Sequence, residues 1–240
     1  MSSGFDSYTL VDSITDEYFA NPTRAWDPEE LLFAGAALTR KFNPGEGFLH
    51  CNTNLVALGL IAEKILGKNL AEILGERIFA PLGMTQSSYP YGTSFPDPHW
   101  SGYTLQSSPD GTPIDATNWS PTFAAAAGQA VSTFRDLRVW ARALGRGTLL
   151  SPAMQAARLM QNPHSVRGVR AYCFAVGNDN GWLAHSGELP GYNTQIAYLP
   201  SLDATIVVMA NADIAGTDGQ NPAVAGFKAL AGVVAPNNVP

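Results

Sequence analysis

Residues 171–210 read AYCFAVGNDNGWLAHSGELPGYNTQIAYLPSLDATIVVMA. Over this stretch the apolar residues recur with a period near two, the period of a half-buried strand. Four strands are expected: Ala171–Val176, Gly181–His185, Thr194–Leu199 and Ala204–Ala210. Turn-forming residues separate them at Asn178–Gly181, Gly187–Gly191 and Pro200–Asp203. Links this short allow only antiparallel pairing of consecutive strands. Downstream, the Ala-rich run Pro222–Val234 predicts a helix that covers the sheet.

Upstream the period is helical. Asp27-Pro28 with Glu30 three residues after the cap predicts a helix closed by a capping box, with Leu31, Leu32, Ala34 and Leu38 as its apolar face. It should end near Lys41. Leu55–Leu66 predicts a helix stopped by Gly67, and Asn69 caps another, Leu70–Phe79. Ser132 is the expected cap of Thr133–Leu144, and Ser151-Pro152 starts a helix through Met160. Residues 1–25 read as loop. Residues 86–123 are rich in Ser, Pro, Gly, Tyr and Trp and too long for an ordinary connection. They either lie over a site or form a surface excursion held by Trp100 and Trp119. Helices first, then an antiparallel sheet with a closing helix, is an α+β arrangement.

Composition narrows the function. The chain has 240 residues, 45% of them apolar and 14% charged, with net charge −6. No basic cluster exists to neutralise phosphates, so nucleic acid is not an expected partner. No apolar run is long enough to span a membrane. The two cysteines, Cys51 and Cys173, form no Cys-x-x-Cys, and the four histidines lack the spacing of a helical metal site, so no metal and no cofactor is expected. The first residues, MSSGFDSYTL, have neither the basic start nor the apolar stretch of a signal peptide.

Two polar clusters stand out. Gly47–Asn54, GFLHCNTN, places His50 and Asn52 between an apolar approach and a helix. Either they belong to a site, or Asn52 and Thr53 only cap the helix. Cys51 and His50 are adjacent, and adjacent residues on extended backbone point to opposite faces, so they make a poor catalytic pair. The second cluster is His185-Ser186-Gly187. A glycine lets another backbone approach a strand edge, and an edge can bind an amide or ester as if adding a strand. The alternative is an ordinary hairpin turn with a surface histidine.

Several segments, in order, resemble the serine β-lactamase-like family of class C β-lactamases, D-alanyl-D-alanine carboxypeptidases and related esterases. Ser2-Ser3-Gly4-Phe5 resembles the family's His-Thr-Ser-Gly-Leu, and Phe42–Gly59 its Pro-Gly and Tyr-Ser-Asn-x-Asn segment. Arg77–Thr85, RIFAPLGMT, is similar to its Pro-Leu-Gly-Met block. Ala127-Gly128 with Ser132-Thr133 and Asp136-Leu137 resembles a further block. His185-Ser186-Gly187, Gly191-Tyr192 and Val207–Asn211 resemble its Lys/His-Thr/Ser-Gly and Val-Val-Asn strands.

The resemblance implies a serine hydrolase that forms an acyl-enzyme on an amide, ester or β-lactam, a small acyl substrate or a peptidoglycan-like peptide. It implies His50 and Asn52 as catalytic residues, and His185, Ser186 and Gly187 as substrate-binding residues. Two departures matter. Three residues before the four lysines, Lys41, Lys64, Lys68 and Lys228, stand Leu38, Ile61, Ile65 and Ala225, so Ser-x-x-Lys is absent. His50 stands where the family has tyrosine. The expectation is therefore a β-lactamase/transpeptidase-like domain over 1–240, incomplete at its amino terminus. It would lack the amino-terminal strands and nucleophile helix, be inactive as it stands, and tend to self-associate through uncovered apolar surface. The alternative is a non-catalytic relative that binds a ligand or protein in the remaining cleft.

Overall fold

A computed structural model describes residues 1–216 and 219–240. The helices are α1 (Asp12–Ala20), α2 (Pro28–Ala37), α3 (Asn52–Leu66), α4 (Leu70–Leu74), α5 (Ala80–Leu82), α6 (Phe134–Arg146), α7 (Pro152–Arg158) and α8 (Pro222–Val234). The strands are β1 (Tyr103–Thr104), β2 (Ile114–Asp115), β3 (Arg170–Tyr172), β4 (Gly177–Asp179), β5 (Trp182–Leu189), β6 (Tyr192–Leu199) and β7 (Ala204–Ala210). β1 and β2 form a small ribbon, and β3-β4-β5-β6-β7 form an antiparallel meander. The architecture is α+β, an antiparallel sheet flanked by helices. Among the described residues no helix is long and apolar enough to cross a membrane.

The two faces of β6 explain the layering. Ala197 and Leu199 point to α8 and join Trp182, Ile206, Phe227 and Ala231 in one core. Tyr198 points to the other face, where α6 crosses. A Cβ on Gly145 of α6 would lie 2.1 Å from the Tyr198 ring, so only glycine lets the helix approach so closely. A second core joins the amino-terminal helices: Tyr8, Ile14, Tyr18, Trp26, Leu31 and Val56 pack with Phe123. Tyr18 stacks on Phe123 at 3.9 Å.

Some expectations are corrected. Residues 1–25 are not all loop: α1 forms without a side-chain cap because Ile14 and Tyr18, one turn apart, are buried on one face. Asp27 does cap α2, but Glu30 reaches Arg24 at 2.9 Å instead of closing a capping box. The helix stops at Ala37, because Leu38 is already extended. The capping box sits at α4, between Asn69 and Glu72. That helix becomes a π-helical turn over Gly75–Phe79 before α5. Thr133, not Ser132, caps α6, and Ser132 bonds Ser87 instead. α7 ends at Arg158. The strand expected over Ala171–Val176 is broken by Ala175, whose φ of +55° is incompatible with a strand, and gives β3 and, beyond it, β4. β5 runs on to Leu189, so Gly187 pairs with Thr194 within the strand and the turn is only Pro190-Gly191.

Candidate active site

Between the amino-terminal helical core and the sheet lies a cavity of about 930 Å³, lined by both layers. β5 forms one wall. β4 is short and pairs only with Trp182–Ala184, so His185–Leu189 are held by β6 on one side. Among the described residues no strand pairs with them on the other side, and the cavity lies against them. This is the strand edge expected from His185-Ser186-Gly187. A Cβ on Gly187 would meet nothing nearer than 3.9 Å, so the space above it is open.

The opposite wall is the start of α3. Asn52 is its first residue and lines the cavity, and its side chain has no hydrogen-bond partner among the described residues. Thr53 does not cap either. It is fully buried, its hydroxyl accepting from the Tyr8 N–H at 3.0 Å and donating to the Asp6 carbonyl at 2.8 Å. The capping alternative therefore fails for both residues. Cys51 is buried and does not line the cavity, while His50 does, so the pair is divided between interior and cleft.

The fold brings the two clusters together. The His50 and His185 rings lie 5.6 Å apart. A residue that the strand pattern did not single out, Tyr172, completes a triangle with them, at 5.8 Å from each ring and roughly perpendicular to both. Its hydroxyl is 2.9 Å from His185 Nε2, and Phe48 backs its ring. His185 Nδ1 is 2.7 Å from the Ser186 carbonyl. A carbonyl only accepts, so Nδ1 carries a proton, and in the neutral imidazole Nε2 is then the acceptor that faces the phenol. Nothing in the sequence around Tyr172 distinguished it from a core aromatic. Its cross-strand partner, Gly177, has no side chain to cover it, and that pairing is a product of the fold.

Electrostatics follow from the enclosure. Burial, helped by the neighbouring Cys173, pushes the Tyr172 phenol up to about 12. His50 is pushed below the usual imidazole range, first by desolvation, then by the facing His185 and the chain's amino group. A depressed pKa means that, below the unfolded value of about 6.5, the unfolded chain binds the extra proton first. The resulting stability is present above that pH and is lost as pH falls through the folded value. Melting temperature should thus fall between about pH 7 and pH 5, and fall less in His50→Gln. An equal fall in both proteins would show that His50 carries no such strain.

The long 86–123 segment contributes only Gln106 and Phe123 to the cavity. Its body is pinned elsewhere: Trp119 against Tyr18 and Phe19, Trp100 against Phe134, and the Trp100 carbonyl by the Tyr192 hydroxyl. Of the two expectations, the surface excursion describes most of it. Among the described residues no group of three or more His, Cys, Asp or Glu side chains could hold a metal ion.

The Beta-lactamase family model matches residues 1–231. The chain belongs to the beta-lactamase family. Among curated members it is 29% identical over 194 residues to the unguisins hydrolase ungD' of Aspergillus campestris, covering 72% of this chain and 35% of that protein. The chain thus spans about a third of that relative's length. Among solved structures, a D-stereospecific amidohydrolase from Streptomyces sp. superposes with TM-score 0.85 at 24% identity, over 98% of this chain and 70% of that one. A penicillin binding protein from Bacillus halodurans gives 0.79 at 24%, over 95% and 71%. At that identity the two superpositions establish the beta-lactamase fold, and the cleft between helices and sheet is the feature to interpret.

Proposed function

We propose that this chain forms the acyl-transfer cleft of a beta-lactamase-family serine hydrolase acting on an amide, ester or β-lactam. The observation that carries this reading is the meeting of His50 and His185, from the two sequence clusters, beside an open strand edge in one cavity. In this reading the substrate's carbonyl-bearing segment lies along His185–Gly187 as an added strand, where main-chain groups bind it. The unpaired backbone donors of that edge hold the developing oxyanion. The Asn52 amide, free in the cleft, contacts the acyl side. His50, kept neutral near pH 7, takes the attacking group's proton and returns it to the leaving group.

The attacking group is a serine from a Ser-x-x-Lys segment, which is not among these 240 residues. The chain alone is then inactive in acyl-enzyme formation. The absence of that motif equally favours a second reading, a relative that binds a ligand or protein in the cleft without turnover. The substrate class carried by the first reading is a small acyl compound or short peptide, and self-association is expected where apolar side chains such as Ile65 and Val233 lie exposed.

Labelling separates the readings. A fluorescent penicillin or a fluorophosphonate should leave the chain alone unlabelled. Labelling should appear once a separately made segment bearing Ser-x-x-Lys is added. Stable labelling of the chain by itself would refute the assigned inactivity. No labelling with the segment, together with saturable binding of the same penicillin, would transfer the assignment to the binding reading.

A further inference from the structure

Three proton-carrying side chains reach the cleft from two walls. His50 precedes α3, whereas Tyr172 and His185 come from β3 and β5. Tyr172 alone is a poor base: its buried phenol would have to ionise in a place that disfavours the phenolate. It is not alone, however. His185 is locked on both nitrogens, Nδ1–H donating to the Ser186 carbonyl at 2.7 Å and Nε2 accepting from the Tyr172 hydroxyl at 2.9 Å. This sets a phenolic donor against the filled lone pair of an imidazole nitrogen, aligned before any substrate arrives.

We propose that Tyr172 and His185 are a proton-relay dyad in which the phenol acts as the catalytic residue that deprotonates the hydrolytic water, with His185 Nε2 as the final acceptor. This rests on the acyl-transfer reading for its biological use. The step balances as follows. Water's oxygen bonds to the acyl carbon and its O–H breaks. That proton moves to Tyr172 Oη while the phenolic proton moves to His185 Nε2. The phenol ends neutral, the imidazole becomes imidazolium, and the carbonyl electron pair resides on the oxyanion. As the tetrahedral species collapses, the bond to the leaving oxygen breaks and the imidazolium proton returns through the phenol to that oxygen. No phenolate is formed at any stage, so the dyad has an imidazole's basicity at a phenol's position.

The test uses the full chain and needs no added nucleophile. Nitrogen-15 NMR of the histidine side chains should show neutral His185 as the Nδ1–H tautomer in the wild type. In Tyr172→Phe the Nδ1–H tautomer should persist, held by the Ser186 carbonyl, while the Nε2 resonance moves as its hydrogen bond is lost, with the thermal melt unchanged within a few degrees. Hydrolysis of p-nitrophenyl acetate, by water attack in the cleft, should fall about tenfold or more in Tyr172→Phe. A wild-type Nε2–H tautomer would overturn the dyad, as would ester hydrolysis undiminished in the variant. Neither readout depends on a Ser-x-x-Lys segment, so the labelling experiment decides the acyl-enzyme reading separately.

Discussion

Truncating Trp182 to alanine should cost about 3–5 kcal/mol of folding free energy, seen as a lower urea midpoint with little change in slope. Trp182 opens β5 and is fully buried. Its ring stands edge-on to Phe227 of α8 at 5.4 Å, and its indole N–H donates to the Asn238 carbonyl at 2.8 Å. Removing it empties a large volume among neighbours that cannot refill it. Those on the helix side include the alanines Ala231 and Ala235, each already buried and too short to move in. The Asn238 carbonyl would also lose its donor, a further cost of the order of 1 kcal/mol or more. Trp182→Phe keeps most of the ring and loses only the polar contact and part of the volume, so it should fall between the two. A loss below about 1 kcal/mol for the alanine variant would mean that α8 does not depend on this contact.

Gly35→Ala is the sharper test, because helix propensity and packing predict opposite signs. Gly35 lies inside α2, where alanine is normally favoured over glycine by about 1 kcal/mol. Here a Cβ would lie 2.1 Å from Thr53 Oγ1 and 2.8 Å from its Cγ2. Thr53 cannot rotate away without releasing both the Tyr8 N–H and the Asp6 carbonyl, which are buried with it. Overpacking at about 1–3 kcal/mol, together with a strained pair of hydrogen bonds, should outweigh the propensity gain, leaving a net loss of about 2 kcal/mol. The displaced first turn of α3 carries Asn52 and lies one residue beyond His50, so ester hydrolysis should fall with stability. A stabilised Gly35→Ala protein would show that α2 and α3 do not meet this closely.

Much of the frame is legible in the residues. β7 and α8 have the bounds that the pattern predicts, Ala204–Ala210 and Pro222–Val234. The first is built on the apolar β-branched run Ile206-Val207-Val208; in the second, Asn221 caps and Pro222 occupies the first turn. Gly67 ends α3 in the left-handed conformation as expected. α1 escaped because its core face is two residues, Ile14 and Tyr18, in a polar segment without a cap. Their partners, Phe123 and Trp119, are more than a hundred residues away in the chain.

The candidate site divides in the same way. From sequence alone come the residue types that can carry the chemistry: His50 and Asn52 in one cluster, His185, Ser186 and Gly187 in the other, and the absence of Ser-x-x-Lys. Those are local or ordered features, readable along one strand of text. Only the tertiary structure decided that β4 stops at the level of Ala184, which leaves the rest of β5 as an open edge. Only it placed Tyr172 against the two histidines and assigned the His185 tautomer. The reason is physical: strand length, ring packing and a proton's position on imidazole depend on what stands opposite in space. Here the opposing groups are a glycine across a short ladder, a phenol from the next strand but one, and a backbone carbonyl.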